Sequence, residues 1–332
     1  MVNIEHAIKM RDMIDELGFE EVMGATGLKP ETLVRYVFLA KAHDSAKATH
    51  EAREKVLSQV APSTSSTWAD GPKVLVIDIE TLPAEAYIWG PGKQYVGHKQ
   101  IIKGKDWCIL SFAAKWIAGD EIFGDKLSGE AAVCRDDALL CEQLWPLMNE
   151  ADIIIAHNGD KFDVRKINAR MIANGIMAPP APYETIDTLI ESRKVFAHSS
   201  HSQDYLTKLF KIPEKLKTEY QMWIDCATGD EDAIDRMFEY NKGDIAGLEE
   251  MYFKLRPWMR KHPNFGLYYD EDNVSRCPKC GSKKIMYGAH YYYTPLGRFK
   301  SFRCNDCGSL GRSRKSDLSK EEREVLVATV AR

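Results

Sequence analysis

A short run of apolar residues that carries two acids constrains the fold more than any other feature. Residues 73–82 read KVLVIDIETL, and their β-branched side chains are typical of a buried central strand. Asp78 and Glu80 are two residues apart, so both side chains lie on one face of such a strand. Two carboxylates within a buried run are costly unless a cation neutralises them. The expected cation is Mg²⁺ or Mn²⁺, because both prefer carboxylate oxygens.

The segments around this run alternate between strand-like and helix-like patterns. Further strands are predicted at WCILSFAAKWI, at EIFGDKL, at ADIIIAHN and near residues 184–189. Helices are predicted at about 136–150 and 161–174, and the chain beyond 190 is mostly helical, with a long element near 231–259. This order of elements predicts a ribonuclease-H-like α/β domain, with a mixed β-sheet flanked by helices, over residues 73–262.

Two more groups of polar residues lie where predicted elements begin or end. In IIIAHNGDKFD, a strand ends near Asn158, and Phe162 and Asp163 open the next helix; ligands bind at such strand ends in α/β sheets. In EYNKGD, Tyr240 and Asp244 are four residues apart and therefore share one face of the long helix. Taken singly, Asp163 is also explained as a helix cap, Tyr240 as a core residue and Asp244 as a solvated charge.

Together, the three groups resemble the motifs of the DnaQ-like, DEDD-type 3′–5′ exonuclease superfamily. Those motifs are Asp-x-Glu, then Asn-x₂₋₃-(Phe/Tyr)-Asp, then (Tyr/His)-x₃-Asp, and the chain has them in that order. The tyrosine places the chain with the tyrosine subclass. The segment NGDKFD resembles the proofreading domain of family B DNA polymerases, and TIDTL followed by SSHSQDYLTKLF resembles the stand-alone YprB-like nucleases. The resemblance covers about residues 73–262.

The resemblance implies a phosphodiester hydrolase that uses two Mg²⁺ or Mn²⁺ ions about 3.5–4 Å apart. Asp78 would bridge both ions, Glu80 and Asp244 would complete one site, and Asp163 would hold the second ion. Tyr240 would position the attacking water, because a phenol is a poor base at neutral pH. The residues implied to lie where the terminal nucleotide binds are Thr81, Leu82, Asn158 and Phe162. Asp187 is interpreted as a capping or supporting residue.

The cysteines predict a second metal site. Two Cys-x₂-Cys pairs, Cys277 with Cys280 and Cys304 with Cys307, are separated by 23 residues and are each followed by glycine, as in a zinc ribbon. Four thiolates leave no open coordination position, so one structural Zn²⁺ is expected. The other four cysteines, which we expect to be buried thiols, are Cys108, Cys134, Cys141 and Cys226.

Aromatic and basic residues alternate between the two cysteine pairs, as in a β-hairpin. They are Tyr291, Tyr292, Tyr293, Arg298, Phe299, Lys300 and Arg303. These side chains suit stacking on bases and contact with phosphates, but a module this small also needs aromatic residues for its own core. Both interpretations remain open from the sequence.

Four regions are predicted along the chain: a helix-turn-helix-like module at 1–57, a Ser/Thr/Pro/Gly-rich linker at 58–72, the α/β domain at 73–262, and the zinc ribbon with a basic tail at 263–332. In the first region, one helix is predicted from Phe19 to Gly27 and another begins at Lys29 and Pro30. The second would present Thr32, Arg35 and Tyr36 to solvent while Leu33 and Val37 pack inward. Such a unit suits either a DNA groove or packing against protein.

Charge is distributed unevenly along the chain. Residues 277–332 contain twelve Lys or Arg and five Asp or Glu, a net +7, which leaves −11 for the rest of a chain whose total is −4. A basic tail on an acidic body predicts contact with a polyanion. The N-terminal residues do not form an apolar signal segment and no run is long enough to cross a membrane, so we expect a cytoplasmic protein.

The sequence therefore favours a metal-dependent 3′–5′ exonuclease that acts on nucleic acid, DNA rather than RNA, with replication or repair proteins as possible partners. Two alternatives remain. One is an RNA-directed or structure-specific nuclease. The other is a zinc-ribbon and helix-turn-helix regulator whose nuclease fold is inactive.

Overall fold

The structure is a computed structural model and describes residues 4–29, 32–33, 36–37, 40, 71–90, 92–93, 95–117, 119–213, 218–269 and 274–330. The chain divides into two compact units, Met1–Ala61 and Pro62–Arg332. Most of the predicted linker, and with it Pro30 and Arg35 of the predicted helix-turn-helix, lies outside the described residues.

The first unit begins with two helices, α1 (Ile4–Leu17) and α2 (Phe19–Thr26). Gly27 caps the second helix in a left-handed conformation (φ 65°), and its N–H donates to the carbonyl of Met23, as glycine at this position commonly does. The predicted end of this helix at Gly27 is therefore confirmed.

Apolar residues from α1, α2 and the segment that follows form a small core around Met10, Val22 and Leu33. Tyr36, which was predicted to face solvent, packs against this core, with its ring centroid 5.3 Å from that of His6. That prediction was wrong, because the ring of Tyr36 covers part of this apolar cluster and is itself partly buried. The inward position predicted for Leu33 is confirmed.

The second unit is built on a five-stranded mixed sheet. Its strands are β1 (Val74–Leu82), β2 (Cys108–Trp116), β3 (Phe123–Lys126), β4 (Ile153–Ala156) and β5 (Glu184–Asp187). Their order in the sheet is β3-β2-β1-β4-β5. Strands β1, β2 and β3 pair antiparallel, whereas β4 runs parallel to both β1 and β5. The prediction of an α/β fold with a mixed sheet is confirmed at this level.

Helices flank the sheet. They are α3 (Gly129–Cys134), α4 (Ala138–Glu150), α5 (Asp163–Ala173), α6 (Thr188–Val195), α7 (Gln203–Leu209), α8 (Tyr220–Ala227) and α9 (Glu231–Leu255). The long helix α9 packs against β1, β2 and β3. Its start is fixed by Asp230, whose side chain accepts from the N–H of Ala233, an arrangement that satisfies one of the free N–H groups of the first turn.

One face of β1 changes character along its length. Val74 and Val76 belong to an apolar core that includes Ile245 and Leu248 of α9. The next two residues on the same face are Asp78 and Glu80, which pair across the sheet with Ala113 and Ser111 of β2. These small partners leave room for polar groups of α9 beside the acids. The sheet therefore supplies a dry core at one end and a polar site at the other.

The C-terminal part forms a three-stranded antiparallel sheet of β6 (Ile285–Thr294), β7 (Gly297–Cys304) and β8 (Leu310–Arg312), followed by the short helix α10 (Lys320–Glu324). The hairpin predicted between the cysteine pairs is confirmed by the pairing of β6 with β7. Lys279 anchors this ribbon to the α/β domain, because its Nζ donates to the carbonyls of Pro257 (2.9 Å) and Met259 (2.7 Å).

Within the described ranges, no helix combines the length and the apolarity needed to cross a bilayer. Cys108, Cys141 and Cys226 are buried as predicted, but Cys134 is exposed. The prediction for Cys134 was wrong because it lies near the end of α3, a helix that buries only Gly129 and Ala132.

Candidate active site

Three of the predicted acids meet at the end of β1. Oxygens from Asp78, Glu80 and Asp244 all lie within 4.8 Å of one another. The strand alternation brings the first two to one face, and α9, which packs over that face, contributes the third. Three carboxylates in this arrangement suit a hard divalent cation such as Mg²⁺ or Mn²⁺.

Asp163 lies beside this group but is not a member of it. It is the first residue of α5 and is almost fully buried, and its Oδ1 accepts from the N–H of Ile79 at 3.1 Å. Burial raises the pKa of this carboxyl strongly above its usual range, since a charge in a low-dielectric environment is disfavoured. Because Ile79 lies between Asp78 and Glu80, the bond ties the start of α5 to the strand that carries both acids.

Tyr240 is one helical turn before Asp244. Burial raises the pKa of its hydroxyl, and the negative charges of Asp244 and Glu80 raise it further. The hydroxyl is hydrogen-bonded to Asp244, and a phenol, whose ordinary pKa is about 10, is a hydrogen-bond donor rather than a base at neutral pH. This environment fits the water-positioning role that the resemblance implies.

Asn241 is a further residue of this site, and the sequence reasoning missed it. It is fully buried on α9, and its Nδ2 donates to Oδ2 of Asp78 at 2.7 Å. Its Oδ1 in turn accepts from the hydroxyl of Ser111, at 3.1 Å. The relay fixes the orientation of the Asp78 carboxylate. No motif spacing indicates it, because it depends on the register that places Ser111 opposite Glu80.

The turn after β4 is held by one buried acid. Asp187 accepts from the N–H groups of Asn158 (3.1 Å) and Asp160 (3.3 Å) through its two carboxylate oxygens, and it also caps α6. Its predicted capping role is therefore confirmed. Asn158 has a left-handed backbone (φ 69°), which asparagine tolerates better than most residues. A Cβ at Gly159 would lie 2.4 Å from the Cβ of Ala156, so this turn requires glycine.

The residues implied to contact the terminal nucleotide differ in accessibility. Thr81 and Phe162 are half-buried, and the ring of Phe162 lies 5.0 Å from Nζ of Lys166. Leu82 is fully buried, so in this conformation its side chain offers no surface to a ligand.

The four cysteines of the ribbon meet in one cluster. Their sulfurs lie within 4.8 Å of one another, with 3.6 Å between Cys277 and Cys307 and 3.6 Å between Cys280 and Cys304. Both cysteine loops are built alike. In each loop, the backbone carbonyl of the first cysteine accepts from the N–H of the glycine four residues later, at 2.9 Å. The backbone N–H of the same cysteine donates to the carbonyl of the serine five residues later. Four sulfurs at such distances fit the tetrahedral donor set of Zn²⁺.

The aromatic residues of the ribbon are mostly exposed. Phe302 is buried, whereas Tyr292 and Tyr293 are 52% and 67% exposed. The guanidinium of Arg312 lies 4.1 Å from the ring centroid of Phe299 and 5.4 Å from that of Tyr292. The core of this small sheet therefore uses few of its aromatic side chains, and the others remain accessible together with arginine.

The chain is similar over a limited stretch to a DNA polymerase. It is 29% identical over 115 residues to a DNA polymerase III PolC-type of Ureaplasma parvum serovar 3 (strain ATCC 700970). These residues are 34% of this chain and 8% of that protein, so the chain spans only a small part of its relative. No protein-family model matches the chain.

Proposed function

We propose that this chain is a metal-dependent 3′–5′ exonuclease that hydrolyses phosphodiester bonds of DNA. The observation that carries the proposal is that carboxylate oxygens of Asp78, Glu80 and Asp244 lie within 4.8 Å of one another, although Asp78 and Asp244 are 166 residues apart in the sequence. The order of the three motifs and the protonated Tyr240 beside them fit the same activity. The partial similarity to a DNA polymerase supports DNA as the substrate.

The chain's own residues suggest how the reaction proceeds. Asp78, Glu80 and Asp244 would hold divalent metal, with Asp163 as a further candidate ligand. When bound, such ions activate water and stabilise the leaving oxygen. Asn241 holds the Asp78 carboxylate in one orientation, and the Tyr240 hydroxyl would orient the attacking water by donating a hydrogen bond to it. Asp187 keeps the Asn158 turn in place at the neighbouring strand end.

The cysteine cluster would hold a structural Zn²⁺, and the exposed tyrosines and arginines of the ribbon would give a second contact to nucleic acid. A regulator with an inactive nuclease fold is the less economical alternative, because such a protein has no need to keep three acids assembled with a tyrosine beside them. An RNA-directed nuclease would use the same carboxylates, so substrate choice is left to experiment.

Digestion of 5′-end-labelled single-stranded DNA and RNA with Mg²⁺ or Mn²⁺ tests the proposal. Wild-type protein should shorten the DNA stepwise from its 3′ end. Asp78→Ala and Asp244→Ala should each lower the rate by about 1000-fold or more, since losing metal-based stabilisation of the transition state costs on the order of 4 kcal/mol. Glu239→Ala, an exposed acid on the same helix, is the matched control and should leave the rate unchanged.

The outcomes separate the alternatives. Wild-type protein that degrades neither DNA nor RNA with either metal present contradicts the exonuclease proposal and favours the regulator. Degradation of RNA alone selects the RNA-directed nuclease. Cleavage at internal positions or only at branched substrates selects the structure-specific nuclease.

A further inference from the structure

The connection between β1 and β2 carries a patch of exposed aromatic residues that neither the motifs nor the catalytic proposal uses. Three side chains in it are among the most exposed of the described large apolar residues: Tyr87 (75%), Trp89 (102%) and Tyr95 (92%). Ile88 and Val96 beside them are also exposed. Leaving a tryptophan and two tyrosines in water is unusual without a ligand or partner to cover them.

We call residues 86–105 the aromatic arm. Its base is held by backbone hydrogen bonds, from Tyr87 N–H to Gln100 C=O (3.0 Å) and from Ile102 N–H to Glu85 C=O (2.8 Å). Glu85 also accepts from the almost fully buried Arg135 at 2.8 Å. The arm therefore begins and ends at fixed points, and its exposed rings lie beyond them.

The arm is connected directly to the strand that carries Asp78 and Glu80. It follows directly after β1, and Glu85 at its base is five residues beyond Glu80, which limits the backbone distance between them to about 18 Å. At the other end, the chain enters β2 at Cys108, which pairs with Leu82 at the end of β1. The arm thus projects from the same end of the sheet as the three carboxylates.

The charge of the arm differs from that of the rest of the chain. Residues 86–105 contain four lysines, Lys93, Lys99, Lys103 and Lys105, and neither Asp nor Glu. The chain as a whole has a net charge of −4. Exposed aromatic rings interleaved with lysine are what an unpaired nucleic-acid strand requires, because bases stack on the rings while phosphates contact the cations.

We propose that the aromatic arm binds the unpaired strand that leads to the active site, with Trp89 and Tyr95 stacking on its bases. This deepens the proposed function by assigning the residues that hold the strand outside the carboxylate site, and it rests on that function. A protein partner is the competing occupant of such an apolar surface. The absence of acids from the arm's sequence and its continuity with the carboxylates favour a polyanion instead.

The test compares Trp89→Ala/Tyr95→Ala with Trp258→Ala/Tyr220→Ala, a control pair that is 63% and 75% exposed outside the arm. Binding of a fluorescein-labelled 20-nucleotide oligo(dT) is measured by anisotropy, in an Asp78→Ala background that prevents degradation. The arm pair should weaken binding by about 25-fold or more, roughly 5-fold for each lost stacking contact. The control pair should bind as its parent does.

A charge variant gives a second, independent measurement. Lys93→Gln/Lys99→Gln/Lys103→Gln should flatten the dependence of log Kd on log salt concentration by about 2, because each lost phosphate contact on a single strand contributes about 0.7. A blunt 20-base-pair duplex should lose much less affinity than oligo(dT) in the aromatic variant. Equal losses on both ligands would overturn the assignment to an unpaired strand.

Hydrolysis assays distinguish failure of this inference from failure of the proposed function. With an intact Asp78, the aromatic variant should hydrolyse thymidine 5′-(p-nitrophenyl phosphate) as wild type does, but oligo(dT) with a KM at least about 10-fold higher. If wild-type protein hydrolyses both substrates and the arm variant matches it on oligo(dT) in both KM and binding, the arm does not hold the strand. If wild-type protein hydrolyses neither, the proposed function fails, while the anisotropy result still decides whether the arm binds nucleic acid.

Discussion

The carboxylate group at the end of β1 and the cysteine cluster of the ribbon are both candidate metal centres, but they are assembled in different ways. The cysteines come from two short loops of the same design within 31 residues. Their four sulfurs would occupy every coordination position of a tetrahedral ion. The carboxylates come from a strand and a distant helix; Asp78 and Glu80 are partly buried, and Asp244 is buried. The first arrangement would hold an ion for stability, whereas the second would leave coordination positions of an ion open to a substrate.

Removal of the zinc that we propose for the ribbon is the largest effect we expect from this difference. Cys304→Ser removes one of four thiolates, and structural zinc contributes on the order of 10 kcal/mol to folding. The variant should lose its zinc, and β6, β7 and β8 should lose protection from hydrogen exchange, while the five-stranded sheet keeps its protection. Metal analysis of the purified protein and hydrogen-exchange mass spectrometry measure the two effects.

The exposed Cys134 provides the control. Cys134→Ser should keep one zinc per chain and an unchanged exchange pattern. Wild-type protein with less than stoichiometric zinc after mild chelation, or a Cys304→Ser variant that still holds zinc, would contradict the closed structural site. Loss of protection throughout the five-stranded sheet would show that the two regions fold only together.

The same contrast explains which features were predictable from the sequence. The cysteine loops and strand β1 are local patterns, because ligand spacing and apolar alternation depend on neighbouring residues alone. Asp78, Glu80 and Asp244 were found as a group only through resemblance to motifs of known order. Their proximity depends on how α9 packs over the sheet, which no short window of sequence contains.

Features that depend on strand register or on an irregular connection were missed. Asn241 looks like an ordinary helical asparagine until the pairing of β1 with β2 places Ser111 and Asp78 on either side of it. Leu82 was assigned a substrate contact, yet it is fully buried at the end of β1. The aromatic arm has no helical or strand periodicity, so its fixed base and exposed rings are visible only in the structure.

A substitution at Asn241 tests whether metal binding by the carboxylates depends on the hydrogen bond that orients Asp78. Asn241→Ala removes a buried hydrogen bond to Asp78, a loss worth about 1–3 kcal/mol. We expect the Mg²⁺ concentration for half-maximal activity to rise by about 10-fold, with a smaller change in kcat at saturating Mg²⁺. Titration of activity with Mg²⁺ measures both quantities.

Two companion variants separate positioning from general destabilisation. Ser111→Ala, which removes only the outer member of the relay, should shift the Mg²⁺ requirement in the same direction by a smaller factor. Asn241→Asp adds a carboxylate beside Asp78 and should change the Mg²⁺ dependence more than alanine does. A kcat that falls in all three variants at an unchanged Mg²⁺ requirement would mean that the relay does not act through the metal site.

The smallest expected effect concerns the contact between the ribbon and the α/β domain. Lys279 lies next to the first cysteine loop, and its Nζ donates to two carbonyls just beyond α9, Pro257 and Met259. Lys279→Met keeps the apolar stem but leaves both carbonyls without this donor, at a cost of about 1–2 kcal/mol. Thermal unfolding should show the ribbon detaching a few degrees earlier, with zinc retained in the folded ribbon.

Lys284→Met is the matched control. Lys284 is an exposed lysine of the same loop and pairs with Asp306. The variant should change stability little, because surface ion pairs contribute at most about 1 kcal/mol. If Lys279→Met behaves like this control, the ribbon is held by its apolar contacts alone. If it instead alters the Mg²⁺ dependence of hydrolysis, the two metal centres are coupled through the end of α9. The carboxylate site would then depend on the cysteine cluster, although the two sites share no ligand.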